Sequence, residues 1–419
     1  MVSSVGLGLD YLRGAHPEGS QVWAAEFQGG PVSTYLHKGR VPSPADMRRW
    51  MLTAVASGVT GISFWVTRAE IAAAEMNGFS LLDSVGDTAA RFEEVARIGA
   101  ALNVHADLLG EPSLPRSDVA ILIDEANYQF CGALREGAGH LPYSVRGWYR
   151  MLWEAGIPVD FIGASHLNED AIGAYTAVIL PFPILVSETL AGRLVDYVQG
   201  GGNLISEACP GRINEHGFCN RGELSPILAG MFHVKHESLT MVREPDGGNR
   251  WMPEERTWGE YLEPAMLAGA GVLAGHSLRA SLYVETYIPE GSEPLLTYGD
   301  CIAGTVARSG GGRAVLLGTI VGHSGNAYRD AATHAAVRVL LAEYGVAPAH
   351  QGRLLLRRRV APTKQAWLFT NPTEHEITED VDVGGWEKVT DLLGGPVQRE
   401  GDAVSLTVPP LDVRVLIVQ

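Results

Sequence analysis

The sequence predicts a mixed α/β protein built from three successive parts. Over residues 1–111, strand and helix patterns alternate and are separated by long loops, which is typical of a parallel β/α barrel. Over residues 118–346, short turns join helices to strands that are apolar along their whole length, as in a doubly wound parallel sheet. After Pro348, short alternating strands follow one another directly and predict a small antiparallel β domain over residues 350–419.

The first part contains two strand–helix units. Val22–Glu26 and the stretch GISFWV at 61–66 have the apolar composition of buried strands. Between them, Ser43 and Pro44 are residue types that helices prefer at the N-cap and in the first turn, so a helix is predicted to begin there. Residues 89–109 repeat apolar side chains at helical spacing and predict a second helix. These units have the order of a parallel sheet or barrel.

The second part repeats the same order with shorter connections. Apolar strands are predicted at 119–124, 158–162, 175–186, 202–208 and 314–320. Helices are predicted at 143–157, 188–201 and 328–346. Because the turns are short and the strands are nearly continuous apolar runs, this part is flavodoxin-like in outline.

The composition limits the classes of partner. Asp and Glu number 48 against 32 Lys and Arg, which leaves a formal net charge of −16. That charge disfavours nucleic acid and anionic membranes and suits a neutral substrate. The four cysteines have neither a CxxC pair nor the spacing of a zinc site and are interpreted as free thiols. No metal or other cofactor is predicted. No apolar run approaches the ~20 residues of a membrane span, and the N-terminus does not have the pattern of a signal peptide, which predicts a cytoplasmic chain.

Glu26 stands at the end of the first predicted strand, just before Gly29, Gly30 and Pro31. In a parallel barrel the catalytic groups lie at the carboxyl ends of the strands. A carboxylate there can attack the anomeric carbon of a sugar, where positive charge develops in the transition state. The residues alone leave two alternatives, namely a strand that simply ends at the surface and a catalytic carboxylate.

A second group of candidates lies in residues 64–83, directly after the next strand. Arg68 and Glu75 have side chains that hydrogen-bond sugar hydroxyls, and Trp65 can stack on the apolar face of a sugar ring. The alternative is an exposed helix start that carries arginine and glutamate over a tryptophan of the core.

Four other motifs are interpreted as structural. The segment GRINEHGF at 211–218 has no metal-ligand spacing and is interpreted as a structural or interface loop. Cys209 lacks the glycines of a nucleophile elbow. The segment RSGGGR at 308–313 lacks the phosphate-loop pattern and is interpreted as a hairpin turn. The basic run LRRRVA at 356–361 is predicted to be the solvated face of a strand.

Taken together, the motifs of residues 22–83 resemble a known family. A strand ending in WAAEFQGGP is followed by P-x-P-x-x-M-R-R-W, then by the aromatic strand FWVTR, and then by Glu75 ahead of FSLLD. This order is similar to the last two β/α units of glycoside hydrolase family 42, the β-galactosidases. Residues 118–346 resemble the middle domain of that family, which has a flavodoxin- or amidotransferase-like fold without amidotransferase catalysis and builds trimers. Residues 350–419 resemble its C-terminal β domain.

The resemblance implies roles for individual residues. Glu26 matches the catalytic nucleophile of the family, Glu75 matches a glutamate that binds sugar hydroxyls, and Arg68 matches the arginine of the last barrel strand. Three positions depart from the family pattern, because Thr67 and Thr34 stand where aromatic residues are common and Gly78 stands where a histidine is common. These departures leave the sugar specificity open.

The family barrel also has a segment that does not match any part of this sequence. It begins some hundreds of residues earlier and supplies an Asn-Glu pair whose glutamate is the general acid/base. The resemblance therefore implies the C-terminal portion of a retaining β-galactosidase, a partial (β/α)8 barrel that is inactive alone and forms a homotrimer. One alternative is a non-catalytic assembly or carbohydrate-binding module with the same fold. Another is a ligand-binding domain of amidotransferase type at 118–346.

Overall fold

The computed structural model describes residues 2–134, 139–167, 172–242 and 265–419. The chain divides into two compact units, one formed by residues 1–116 together with 348–419 and the other by residues 117–347. The mixed α/β class predicted from the sequence is confirmed, because helices and strands alternate in the first half of each unit.

The first unit begins with two strand–helix units. Its N-terminal elements are α1 (Val2–Gly14), β1 (Trp23–Gln28), β2 (Ser33–Thr34), β3 (His37–Lys38), α2 (Pro44–Ala56), β4 (Gly61–Trp65), α3 (Ala90–Val104) and α4 (Ala106–Leu109). Strands β1 and β4 pair in parallel, and β2 and β3 form a short hairpin. Helix α2 begins as predicted, because Ser43 accepts a hydrogen bond from the Asp46 amide and the Asp46 side chain accepts one from the Ser43 amide.

The second unit contains a parallel sheet covered by helices. The parallel strands are β5 (Val119–Ile123), β6 (Val159–Gly163), β7 (Ala177–Leu180), β8 (Asn203–Ser206) and β15 (Gly312–Leu317). Their spatial order is β6-β5-β7-β8-β15, which is the order 2-1-3-4-5 of flavodoxin-like sheets. The helices are α5 (Glu125–Ala133), α6 (His140–Glu154), α7 (Glu188–Gln199), α8 (Pro226–Phe232), α9 (Val321–Ala327) and α10 (Ala331–Glu343).

Antiparallel strands extend this sheet beyond β15. They are β9 (Val234–Met241), β10 (Met266–Gly269), β11 (Ser277–Arg279), β12 (Tyr283–Pro289), β13 (Glu293–Tyr298) and β14 (Cys301–Ser309). Strand β14 joins β15, while β12 pairs with β14 and β9. The pairs β9–β12 and β13–β14 contain bulges, which explains why a simple alternation rule did not predict these strands.

The C-terminal residues of the first unit form two antiparallel sheets. Their strands are β16 (Leu355–Ala361), β17 (Lys364–Thr370), β18 (Ile377–Asp382), β19 (Val389–Asp391), β20 (Gln398–Glu400), β21 (Ala403–Val408) and β22 (Val413–Val418). The sheets have the orders β16-β17-β22-β19 and β18-β21-β20. One face of β17 and β22 packs against α2 and α3 in a core that includes Leu52, Ile98 and Leu368.

The basic run at 356–361 differs from its prediction. Arg359 is completely buried, and Arg357 forms an ion pair of 2.7 Å with the buried Asp10. Only Arg358 lies on an exposed face, where its guanidinium packs over the Trp367 ring. The prediction of a solvated face is therefore wrong for two of the three arginines, because β16 packs against the N-terminal segment of its own unit.

Candidate active site

Glu26 lies in a β-bulge near the carboxyl end of β1. Ala24 pairs with Ile62 and Phe27 pairs with Phe64, so β1 has one extra residue between these two pairs. Glu26 has a φ of 56°, in the left-handed region that is costly for a residue other than glycine. Its side chain is exposed, and the strand continues to Gln28 rather than ending at Glu26. A bulge of this kind redirects a side chain, and strained backbone is found preferentially at functional sites.

The loops that follow β1 and β4 are joined by backbone hydrogen bonds. The Phe79 carbonyl accepts hydrogen bonds from the Gly29 amide (3.1 Å) and from the Val66 amide (3.0 Å). The Phe79 amide donates to the Pro31 carbonyl at 2.8 Å. The loop after β4 therefore has a defined position relative to the strand that carries Glu26.

Three glycines allow this close approach. A Cβ on Gly30 would lie 2.3 Å from the Ser80 carbonyl oxygen, and one on Gly29 would lie 2.8 Å from the Phe79 carbonyl oxygen. A Cβ on Gly78 would lie 2.5 Å from the Ser33 Cβ. Gly29 and Gly30 therefore do more than end a strand, since they allow two loop backbones to touch.

Trp65 and Glu75 are brought together by the structure. The Trp65 Nε1 donates a hydrogen bond to the Glu75 Oε2 at 3.0 Å. The Trp65 side chain is 38% exposed, so it is available to a ligand and is not part of the core. The residues after β4 form turns and bends, and the next helix begins only at Ala90. The alternative of a helix start over a core tryptophan is therefore wrong.

Arg68 lies on the same loop and is exposed. Its Nε lies 3.4 Å from the position that a Cβ would occupy on Gly86, so the guanidinium packs against that glycine. The structure thus places Trp65 at the end of β4, Arg68 and Glu75 in the segment that follows it, and Glu26 on the neighbouring strand.

Arg91 holds the loop that follows β4, and it was not predicted as part of the site from the sequence. Its buried guanidinium donates to the Ser80 carbonyl at 3.0 Å and to the Leu82 carbonyl, and burial lowers the pKa of Arg91. These bonds attach the end of the Glu75 loop to helix α3. The sequence signal for this role was the position of Arg91 in the predicted helix, next to the apolar residues that face the core.

The structure also locates the motifs interpreted as structural. In the 211–218 segment, the Asn214 Oδ1 accepts hydrogen bonds from the His216 and Phe218 amides, so the asparagine organises a turn. Cys209 has a φ of 63° but is buried, and burial raises the pKa of its thiol well above the usual value. A neutral, buried thiol is not a nucleophile.

In the parts of the chain that the structure describes, His, Cys, Asp and Glu do not form a group of three or more able to hold a metal ion. Within those same parts, every helix is too short or too polar to cross a bilayer.

Comparison with known families gives two matches. The family described as "Beta-galactosidase trimerisation domain" matches residues 117–345, and the family described as "Beta-galactosidase" matches residues 3–105. The first match alone covers more than half of the chain.

Among curated proteins, the chain is 26% identical over 260 residues to the beta-galactosidase BgaA of Planococcus sp. (strain 'SOS Orange'), covering 61% of this chain and 35% of that protein. It is 31% identical over 150 residues to the beta-galactosidase GanA of Bacillus subtilis (strain 168), covering 34% of this chain and 21% of that protein. The chain therefore spans about a third or less of the length of these relatives.

Among solved structures, a catalytic mutant of Gan42B, a GH42 beta-galactosidase from G. stearothermophilus, has a TM-score of 0.78 at 21% identity, covering 100% of this chain and 56% of that chain. The beta-galactosidase from Rahnella sp. R3 has a TM-score of 0.77 at 22% identity, covering 99% of this chain and 57% of that chain. At these identities the likeness establishes the fold.

Proposed function

Because the chain belongs to glycoside hydrolase family 42, the β-galactosidase family, we propose that it carries the nucleophile side of a retaining glycosidase site. Glu26 is the proposed nucleophile. The observation that supports this role is its place in a bulge with a φ of 56°, on the strand that pairs with β4 and its terminal, partly exposed Trp65. Backbone strain at an exposed carboxylate has no evident use in packing, whereas it is common at catalytic residues.

The proposed reaction needs a second carboxyl group. A retaining enzyme forms a covalent glycosyl ester on one carboxylate while a second carboxyl about 5–5.5 Å away protonates the leaving oxygen. We assign this proton donor to a segment outside the present sequence. The isolated chain is then inactive, and hydrolysis of terminal β-galactosides belongs to the completed barrel.

Trp65, Glu75 and Arg68 form the proposed sugar-binding group. The hydrogen bond from Trp65 fixes one oxygen of Glu75, and a carboxylate retains further acceptor positions for sugar hydroxyls. The partly exposed indole offers an apolar face for the ring. The contact of Gly78 with Ser33 supports a sugar specificity that differs in detail from the family pattern, because a side chain at Gly78 does not fit beside the hairpin.

Mechanism-based labelling tests the assignment of Glu26. We expect a 2-fluoro galactoside with an activated leaving group to add one glycosyl mass to the peptide that contains Glu26, once the chain is combined with the missing barrel half. The activated group leaves without a proton donor, so trapping depends mainly on the nucleophile. Glu26→Gln should abolish labelling, and Glu70→Gln, which changes an exposed glutamate of the next loop, should leave it unchanged.

Two outcomes contradict the proposal. Labelling of a different carboxylate removes Glu26 from its role. A completed barrel that binds the sugar but is never labelled favours the non-catalytic binding module. The nucleotides upstream of the Met1 codon are the simplest first observation, since an Asn-Glu pair encoded there identifies the proton donor.

A further inference from the structure

Two glutamates are buried in the second unit and have no part in the proposed glycosidase site. The side chains of Glu207 and Glu285 are 0% and 1% exposed. Burying a carboxyl group is costly unless it is hydrogen-bonded or neutral. The hydrogen-bond partners around each carboxyl group differ between the two glutamates.

Glu207 has hydrogen-bond partners on both of its carboxyl oxygens. Its Oε1 accepts hydrogen bonds from the Trp148 Nε1 (2.8 Å) and the Gly322 amide (2.5 Å). Its Oε2 accepts from the Ser144 Oγ (2.6 Å) and the Phe182 amide (2.8 Å). Both oxygens of Glu207 therefore have two hydrogen-bond partners, although burial raises the pKa of this carboxyl group.

Glu285 is surrounded differently. Its Oε2 accepts hydrogen bonds from the Tyr287 hydroxyl (2.5 Å) and the Cys209 amide (2.6 Å). Its Oε1 is buried and makes no hydrogen bond within the described parts of the chain, and the same holds for the Nε2 of His236. These two atoms lie 3.7 Å apart.

The asymmetry favours a carboxyl proton on Oε1, because the Cys209 amide can only donate to Oε2 while Oε1 has no partner among the described residues. A protonated carboxyl accepts with one oxygen and donates with the other, which is the pattern of two donors on Oε2 and none on Oε1. Since 3.7 Å is longer than a hydrogen bond, a small side-chain movement is needed for the Oε1 proton to reach the His236 nitrogen.

We propose that Glu285 is protonated on Oε1 in the native state and donates to His236 Nε2, so that the pair forms a pH-sensitive contact between strands β12 and β9. When Glu285 ionises, the proton leaves and the hydrogen bond to His236 is lost. A buried carboxylate then faces an unprotonated imidazole. Strand β9 is the element that responds, because its sheet partner within the described residues is β12 alone.

The groups that face Glu285 support a neutral carboxyl. Burial is the largest effect and raises the pKa of Glu285 to about 7. Burial also raises the pKa of the Cys209 thiol and of the Tyr287 hydroxyl well above their usual values, so both stay neutral. From the loop after β8, Arg212 favours ionisation, but it forms an ion pair of 2.7 Å with Glu223.

His236 faces the carboxyl from β9 as a neutral acceptor. Burial lowers the pKa of His236, although the acidic groups Glu223 and Glu237 oppose this effect. A neutral imidazole accepts a hydrogen bond through the nitrogen that lacks a proton.

The sign of the pH dependence follows from these directions. The pKa of Glu285 is higher in the folded chain than its ordinary value of 4.5. The protonated carboxyl therefore contributes fully to the free energy of unfolding at low pH, and this contribution is lost as the pH rises through about 7. The pKa of His236 is lowered in the folded chain, so its contribution to the free energy of unfolding is lost as the pH falls below about 6.5, which is the opposite direction. The difference between the wild type and a Glu285 variant isolates the carboxyl contribution.

Hydrogen exchange of the whole chain tests the proposal. The measured quantity is the protection factor of each β9 amide, which corrects for the intrinsic exchange rate at each pH. Between about pH 5.5 and about pH 8.5, we expect it to fall by up to about tenfold per pH unit until about pH 7 and then to level off. Glu285→Gln should remove most of this fall, because an amide presents the same acceptor and donor as the protonated acid. Glu290→Gln, which changes the exposed partner of Lys235 on β9, should behave as the wild type.

Three outcomes overturn the proposal. These are wild-type protection that changes by less than about twofold over the pH range, a Glu285→Gln variant that follows the wild type, and a pH midpoint that His236→Phe leaves unchanged. The His236→Phe variant removes the acceptor, so the expected midpoint is lower than in the wild type. That measurement keeps the proposal testable if Glu285→Gln does not fold.

Discussion

At the scale of single residues, the candidate site depends on glycines whose role is steric. Gly30 has no room for a methyl group, since a Cβ there would lie 2.3 Å from the Ser80 carbonyl oxygen. That carbonyl also accepts hydrogen bonds from Arg91, so it is held from the other side as well. A side chain at Gly30 must therefore displace the loop that carries Glu75.

We expect Gly30→Ala to destabilise the chain by about 1–3 kcal/mol and to change the fluorescence of Trp65, because the forced loop movement alters the Trp65–Glu75 contact. Urea unfolding and emission spectra measure both effects. Gly99→Ala is the matched control, since helix α3 has nothing within 4 Å of that position, and it should stabilise by about 0.5–1 kcal/mol. Equal behaviour of the two variants contradicts the steric role.

The identities of the candidate site residues could be predicted from the sequence, but the backbone conformation of Glu26 could not. Glu26, Arg68, Glu75 and Trp65 could be named because their types and order resemble a family, and their catalytic and binding roles stay proposals. The left-handed conformation of Glu26 could not be predicted, because it follows from the register between β1 and β4.

At the scale of elements, one buried arginine connects strand β16 to two helices and the following linker. The guanidinium of Arg359 is completely buried. It donates to the Ser113 hydroxyl and to the carbonyls of Val55, Val59, Leu109 and Glu111. These groups lie at or just beyond the C-terminal ends of α2 and α4, where carbonyls lack helical partners. Burial lowers the pKa of Arg359 to about 10, so the group stays charged at neutral pH.

Replacing this arginine should cost more than replacing its neighbour. We expect Arg359→Met to lower the free energy of unfolding by about 3–5 kcal/mol, because five hydrogen bonds are lost and the carbonyls of Val59 and Leu109 lose this donor. Arg358→Met on the exposed face of the same strand should cost less than about 1 kcal/mol. Denaturant titration measures both, and similar losses for the two variants contradict this assignment.

Elements with local signals were predicted well, and elements defined by distant contacts were not. Helix α2 was predicted from Ser43 and Pro44 because capping is a short-range interaction. Strands β9 to β14 were missed because their irregular pairing obscures the period of two. The prediction for the run at 356–361 was wrong for Arg357 and Arg359, because basic composition alone does not show that their partners, Asp10 and the carbonyls beyond α2 and α4, lie in distant segments of the same unit.

At the scale of the whole molecule, residues 117–345 match a family that is described by its trimerisation. The match to a trimerisation domain over residues 117–345 supports the proposal that three copies associate through this unit. The net charge of −16 on each chain opposes association at low ionic strength.

We therefore expect light scattering to give about three times the 44.9 kDa of one chain at micromolar concentration. Added salt should shift the balance towards the trimer, because it screens repulsion between acidic copies. A mass of one chain at every protein and salt concentration contradicts the assembly. Glu26→Gln serves as the control, since it lies outside the second unit and should leave the mass unchanged.

The sequence by itself determined the α/β class, the succession of elements with strong local patterns, the acidic charge and the resemblance to glycoside hydrolase family 42. These properties depend on neighbouring residues, whose spacing is visible in a single chain. The tertiary structure alone decided the bulge at Glu26, the glycine contacts between loops, the burial of Arg359 and the unequal surroundings of Glu207 and Glu285. Each of these joins residues far apart in the chain, such as Arg359 and Val55, and is set by packing in three dimensions.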